Sequence, residues 1–209
     1  MSMDGKHRSF QEQVEKQPDY RYDVRNEIII NNDTMIFEEE YNVKVLMLNG
    51  SAKANGNTYA SLLEVGRQLE KEGIEYEIFQ MGGEPVRDCL GCGQCTENGC
   101  VFADDKVNEF VAKAKEADGF VFGTPVYYAH PSGRVMSFLD RAFYSSGRAA
   151  FAFKPGASVA VARRGGTTAS FDAMNKYFGI CQMPVAGSTY WNQVHGAVPG
   201  EACQDEEGM

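Results

Sequence analysis

Four cysteines, Cys89, Cys92, Cys95 and Cys100, fall within twelve positions, with glycines at 91, 93 and 99 between them. Three thiolates at this spacing can curl around three corners of an iron-sulfur cubane, and glycines let the backbone turn to bring in the fourth. The same four donors suit a structural zinc ion, and free or disulfide-exchanging thiols are a third use of them. Spacing alone does not choose the metal. Val101 stands where two-cluster ferredoxin runs carry proline, and six cysteines in all leave no second set of four, so one cluster is the ceiling. Cys181 and Cys203 read as a core thiol and a helix-start residue.

A second stretch with chemistry in it lies upstream. The apolar run of residues 43–48 breaks into Asn49-Gly50-Ser51-Ala52-Lys53-Ala54-Asn55-Gly56-Asn57-Thr58. This reads as a buried strand delivering small polar residues whose backbone N–H groups and hydroxyls can surround an anion. Tyr59, Leu62, Leu63, Gly66 and Leu69 then share one helical face, so the loop ends at a helix N-terminus, where unpaired donors favour phosphate. The stretch lacks both the Gly-Lys-Ser/Thr ending of triphosphate loops and the Gly-x-Gly-x-x-Gly of dinucleotide folds. A single terminal phosphate fits better, held by candidates Ser51, Lys53, Asn55, Gly56, Asn57 and Thr58.

These residues need elements to position them, and periodicity supplies the expectation. Residues 74–79 alternate as a second strand, residues 119–123 are a buried third, residues 157–162 a fourth, and residues 184–188 a weaker fifth. Between them lie a cysteine-bearing loop over residues 81–103, a helix opening at Asp104-Asp105, a helix whose first turn suits Pro131 and which Gly147 ends, and a helix carrying Phe171, Met174 and Phe178. Alternation of this kind predicts an α/β open sheet of five parallel strands with right-handed crossovers, in the flavodoxin-like order 2-1-3-4-5. Residues 1–42 are polar and read as an N-terminal extension, with a hairpin over residues 27–37; residues 43–209 form the domain. Beyond residue 199, Glu201, Asp205, Glu206 and Glu207 look like the acidic opening of a last helix cut short. That predicts exposed apolar surface on the sheet, a covering partner, or a truncated chain.

In such a sheet ligands sit beyond the carboxyl ends of the strands, where three loops are expected to meet. The first is the phosphate loop. The third-strand loop offers Thr124, Pro125, Val126, Tyr127 and Tyr128, and the fourth offers Arg163, Arg164, Gly165 and Gly166. With Gly50-Ser51 and Gly56-Asn57-Thr58, they resemble the FMN site of the NAD(P)H-dependent FMN reductase family. The cysteine spacing resembles the compact motif of iron-sulfur flavoproteins, a subgroup of the same superfamily. The resemblance implies FMN on those residues and a 4Fe-4S cluster on the cysteines. It further implies NAD(P)H as co-substrate, a small electron acceptor such as a quinone or flavin, and a homodimer or homotetramer. Tyr127 and Tyr128 would face the flavin ring, and an arginine there would stabilise its anionic reduced form. His130 is a candidate proton donor. A pure electron carrier between partner proteins is the alternative, and a redox-sensing module a third reading.

Composition bounds the rest. With 209 residues, 43% hydrophobic and 23% charged, the chain has room for one full core. A formal charge of −9 argues against nucleic acid or an anionic membrane as a partner. No run reaches transmembrane length and the start lacks a signal-like apolar core, so a cytoplasmic location is expected.

Overall fold

A computed structural model describes residues 42–209. The hairpin expected at residues 27–37 lies outside them. Five parallel strands form the sheet: β1 (Lys44–Asn49), β2 (Glu75–Gln80), β3 (Gly119–Tyr127), β5 (Gly156–Ala162) and β6 (Gln193–His195), in the order β2-β1-β3-β5-β6. A sixth, two-residue strand, β4 (His130–Pro131), pairs antiparallel with the end of β3. The helices are α1 (Asn57–Lys71), α2 (Val107–Glu116), α3 (Gly133–Ser145) and α4 (Thr167–Ile180). Counting parallel strands only, this is the doubly wound flavodoxin-like arrangement expected from the alternation.

The sheet is covered unequally. Leu46, Leu48, Phe120 and Phe122 face α2, α3 and α4 across a core rich in phenylalanine, in which Phe79 meets Phe110 edge-on at 5.2 Å and Phe143 stacks on Phe151 at 4.1 Å. The intervening residues Met47, Val121, Val159 and Val161 face the other way and pack with Leu62 of α1. Strand residues buried on both faces explain why β1 reads as a continuous apolar run rather than an alternation.

Three expectations need correction. Residues 184–188 do not form the fifth strand: Val185 makes only an isolated bridge to Gly156, and the parallel partner of β5 is β6, with Val161 opposite Val194. Pro131 does not open a helix, because β3 turns back through Tyr128 and Ala129, both at positive φ as a two-residue hairpin demands, and places Pro131 in β4. The acidic tail opens only a short 3-10 helix, Glu201–Gln204. Its carboxylates serve as local caps instead. Glu201 accepts from the Ala197 and Val198 N–H groups, which hold its acid below the usual range, and Asp205 accepts from His195 N at 2.7 Å and Gly208 N at 3.2 Å.

Where a further helix would cover β5 and β6, the sheet instead borders a groove of about 510 Å³, floored by Val121, Ala157, Val159 and Val194 beside exposed Tyr190 and Trp191. No helix among the described residues is long and apolar enough to cross a membrane.

Candidate functional site

The loop expected to hold phosphate, residues 50–56, is shaped by side chains that sequence patterning did not single out. Asn49, the last residue of β1, is wholly buried. Its Oδ1 accepts from Ser51 N at 3.2 Å, and its Nδ2 donates to Lys53 O at 3.4 Å and to Gln80 Oε1 at 2.5 Å. Gln80, at the end of β2, in turn donates from Nε2 to Ser51 O at 2.8 Å. Ser51 Oγ then accepts from Lys53 N at 3.1 Å. These bonds tie the loop to the ends of β1 and β2. Gly50 is required by packing, since a Cβ there would stand 2.2 Å from Val135 Cγ2 and 2.6 Å from Gly123 O.

Past this turn α1 begins at Asn57 without a side-chain cap on Gly56 and without an acidic residue in its first turn. Unsatisfied first-turn N–H groups and the positive end of the helix dipole are thus left facing outward, the arrangement that binds anions. They face a cavity of about 190 Å³ whose walls include Ser51, Lys53, Gly56 and Thr58, Pro125, Val126 and Tyr127 from β3, and Arg163 after β5. Two cations and a bare helix start thus meet in a chain that is acidic overall.

The three loops converge, but not every candidate reaches the cavity. Thr124 is buried and turned inward, its Oγ1 donating to Pro125 O and accepting from Ser132 N at 3.1 Å. Tyr128 stands fully exposed at the hairpin tip, and His130 lies exposed on β4; neither lines the cavity. Asn55, Arg164 and Gly165 are exposed and stay outside it. Gly166 supplies the left-handed residue before α4, where a Cβ would stand 2.4 Å from Ala129 Cα. Its role there is close packing of the hairpin on α4.

Asn57 lines the cavity as expected, and its side chain also holds a distant segment. Its Nδ2 donates to Val198 O at 2.9 Å and its Oδ1 accepts from Gly200 N at 3.0 Å and Ala202 N at 3.3 Å. The segment after β6 is tied down over the helix start by these bonds, and Gly196, Ala197 and Pro199 form a fourth wall of the cavity that sequence reasoning missed. Displacing the fifth strand onto residues 184–188 hid it, because the loop that lines the cavity follows the true strand.

The cysteines lie on the loop that leaves β2. Its first residue donates from Met81 N to Asn49 O at 3.2 Å, so cysteine loop and phosphate loop start from one point. Gly91, Gly93 and Gly99 all have positive φ, which turns the chain around the thiols. Thr96 and Gly99 pair in a tight antiparallel turn, which sets Cys95 and Cys100 on adjoining sides of it. Asn108 of α2 grips Cys100 by its backbone, accepting from Cys100 N and donating to Cys100 O, both at 2.8 Å. A Cβ on Gly99 would strike Asn108 Oδ1 at 2.5 Å. All six cysteines are unpaired by disulfide; Cys181 is a buried core thiol, and Cys203 is exposed in the 3-10 helix. Burial pushes the Cys95 thiol up, and nearby Cys100, Cys92 and Cys89 push it further. Four thiols on one glycine-turned loop are, by their chemistry, a donor set for a soft, thiolate-bound metal group. Among the described residues, no three Cys, His, Asp or Glu side chains crowd closely enough to share one metal ion.

Residues 43–197 match the family model described as NADPH-dependent FMN reductase. The chain belongs to that family. An iron-sulfur flavoprotein of Methanocaldococcus jannaschii is 32% identical over 175 residues, spanning 80% of this chain and 90% of that protein. A second iron-sulfur flavoprotein of the same organism is 28% identical over 182 residues, spanning 80% and 90%. Among solved structures, an NAD(P)H:quinone oxidoreductase from Methanothermobacter marburgensis superposes with a TM-score of 0.59 at 16% identity, covering 80% of this chain and 90% of that one. That last likeness is one of fold.

Proposed function

We propose that this member of the reductase family binds FMN with its phosphate at the bare N-terminus of α1. In this reading it passes electrons from NAD(P)H or a reduced carrier to a small acceptor such as a quinone or a flavin. The observation that carries the proposal is the meeting of Ser51, Thr58, Lys53 and Arg163 around an uncapped helix start. A cavity of about 190 Å³ is below the roughly 300–1,000 Å³ of whole-ligand pockets, which suits the phosphate end of a nucleotide. The ring would then extend from its mouth along the wall formed by Pro125, Val126 and Tyr127. When bound, FMN supplies the two-electron chemistry. The protein's part is to hold the phosphate, seat the ring at the carboxyl end of β3 and carry positive charge near it on Arg163.

The cysteine loop extends the reading to one 4Fe-4S cluster on Cys89, Cys92, Cys95 and Cys100. A zinc ion needs four donors about 2.3 Å from one centre, whereas a cubane spreads its thiolates over separate irons. The cluster is favoured over zinc by the spacing Cys89-x2-Cys92-x2-Cys95-x4-Cys100 and by the similarity of the chain to iron-sulfur flavoproteins.

Fluorescence titration of flavin-free protein tests the first part. FMN should bind at least tenfold more tightly than riboflavin, which lacks the phosphate; equal affinity would remove the proposed anchor. Iron and sulfide analysis of anaerobically prepared protein tests the second. A pure electron carrier is the alternative, and the exposed side chains of Leu90 and Val101 beside the thiols favour it, since they give a partner protein an apolar surface. NAD(P)H oxidation with added quinone separates the two, because a carrier turns over only with its partners.

A further inference from the structure

Helix α3 reaches sideways to the cysteine loop with two arginines seven positions apart, and so on one face. Arg134 donates from Nη2 to Gly82 O at 2.7 Å and Glu84 O at 2.6 Å, near the start of the loop. Arg141, two turns on, is among the largest fully buried side chains, with 1% of its surface exposed. Its Nη2 donates to Phe102 O at 2.6 Å, and its Nη1 donates to Arg87 O at 3.4 Å and pairs with the Asp105 carboxylate. Its Nε donates to Cys100 Sγ at 3.4 Å.

Pinning the loop accounts for the two terminal nitrogens. The Nε bond is different, because it ends on a sulfur that also belongs to the four-thiol set. Cys100 is held on its backbone by Asn108 and at its sulfur by Arg141, from two different helices. A buried ion pair is also a costly way to fix a loop, since apolar residues of similar volume do as well or better. A cationic donor on a ligand sulfur has a use that an apolar residue cannot serve. Reduction adds negative charge to a thiolate-bound cluster, so a donor at the sulfur favours the reduced state and raises the potential.

We propose that Arg141 is a positioning residue that sets the reduction potential of an iron-sulfur cluster on Cys89, Cys92, Cys95 and Cys100 through its Nε bond to Cys100 Sγ. This rests on the reading that the loop holds such a cluster. The helix that carries it starts at Gly133, just past the β3–β4 hairpin, and Arg141 lies eight residues on, about 12 Å along the axis. One rigid element thus spans from the flavin side to the cluster side.

The test compares full-length wild type with Arg141→Lys and Arg141→Gln, all prepared anaerobically with FMN bound, by equilibrium redox titration followed in the visible spectrum. Arg141→Gln should make the cluster harder to reduce by about tenfold in the equilibrium, or about 59 mV for a one-electron couple. Arg141→Lys keeps the charge and should fall between, and the FMN midpoint should stay unchanged. Cluster-bearing variants with the wild-type potential would overturn the assignment, as would loss of the cluster from both variants, which would make Arg141 a structural post. Wild type without iron and sulfide would instead sink the cluster reading itself, a separate and visible outcome.

Discussion

Between β1 and α1 the chain spends seven residues, 50–56, whereas between β2 and α2 it spends twenty-six, 81–106, although both loops start from the same hydrogen-bonded corner at Asn49 and Met81. The short loop is shaped from inside the sheet: Asn49 and Gln80, at the ends of adjacent strands, reach up into it. The long loop has almost no regular structure and is held from the side by Asn108 of α2 and by Arg134 and Arg141 of α3. A short loop over a strand end can borrow the rigidity of the sheet, but a long one must be tied at chosen points. The ties here are concentrated on Cys100 and its neighbours, while Cys92 is exposed.

The contrast can be broken most forcefully at Asp105. Its carboxylate pairs with buried Arg141 and also accepts from Val107 N at 3.1 Å at the start of α2. Asp105→Ala should destabilise the protein by about 3–5 kcal/mol in urea unfolding, because it leaves a buried guanidinium unpaired. Next is the short loop. Gly50→Ala forces a methyl into Val135 and the Gly123 carbonyl, with an expected cost of about 1–3 kcal/mol and loss of FMN binding by fluorescence titration.

Asn49→Ala is gentler on packing but leaves Ser51 N and Gln80 Oε1 without their partner. It should lower stability by about 1–3 kcal/mol and weaken FMN binding about tenfold, with iron content unchanged. Equal loss of both cofactors would show that the two loops are one unit. The smallest effect is expected at Glu77 of β2, which receives Lys113 from α2 at 2.8 Å and Lys44 at 3.0 Å and so joins the two elements that flank the cysteine loop. The Lys113 hydrogen bond holds the Glu77 carboxyl below the usual range, burial opposes this, and Lys44 adds to it. The folded acid is therefore the stronger one. Its contribution is complete above the unfolded value near pH 4.3 and fades as pH falls through the folded value. Glu77→Gln should shift Tm by no more than about 2 °C at pH 7 and flatten its decline below about pH 4.3.

Much of this protein is written locally. The run before Asn49, the small residues after it and the amphipathic α1 identify a strand, a tight polar loop and a helix without outside help, because each signal spans only a few neighbouring residues. Cys89, Cys92, Cys95 and Cys100 declare themselves by spacing, and the order of four of the five parallel strands follows from alternation and handedness. Tertiary structure decided what depends on distant partners. Gln193–His195 is a strand only because the edge of β5 is there to pair with, and three residues cannot show a period. Asn57, besides lining the cavity, anchors a segment more than 140 positions away. Tyr128 is carried out of the cavity by a hairpin, and Arg141, unremarkable in a helix pattern, meets Cys100 across 41 positions. Periodicity reports which face of an element is buried; which polar group waits on the other side is settled only when the chain folds back on itself.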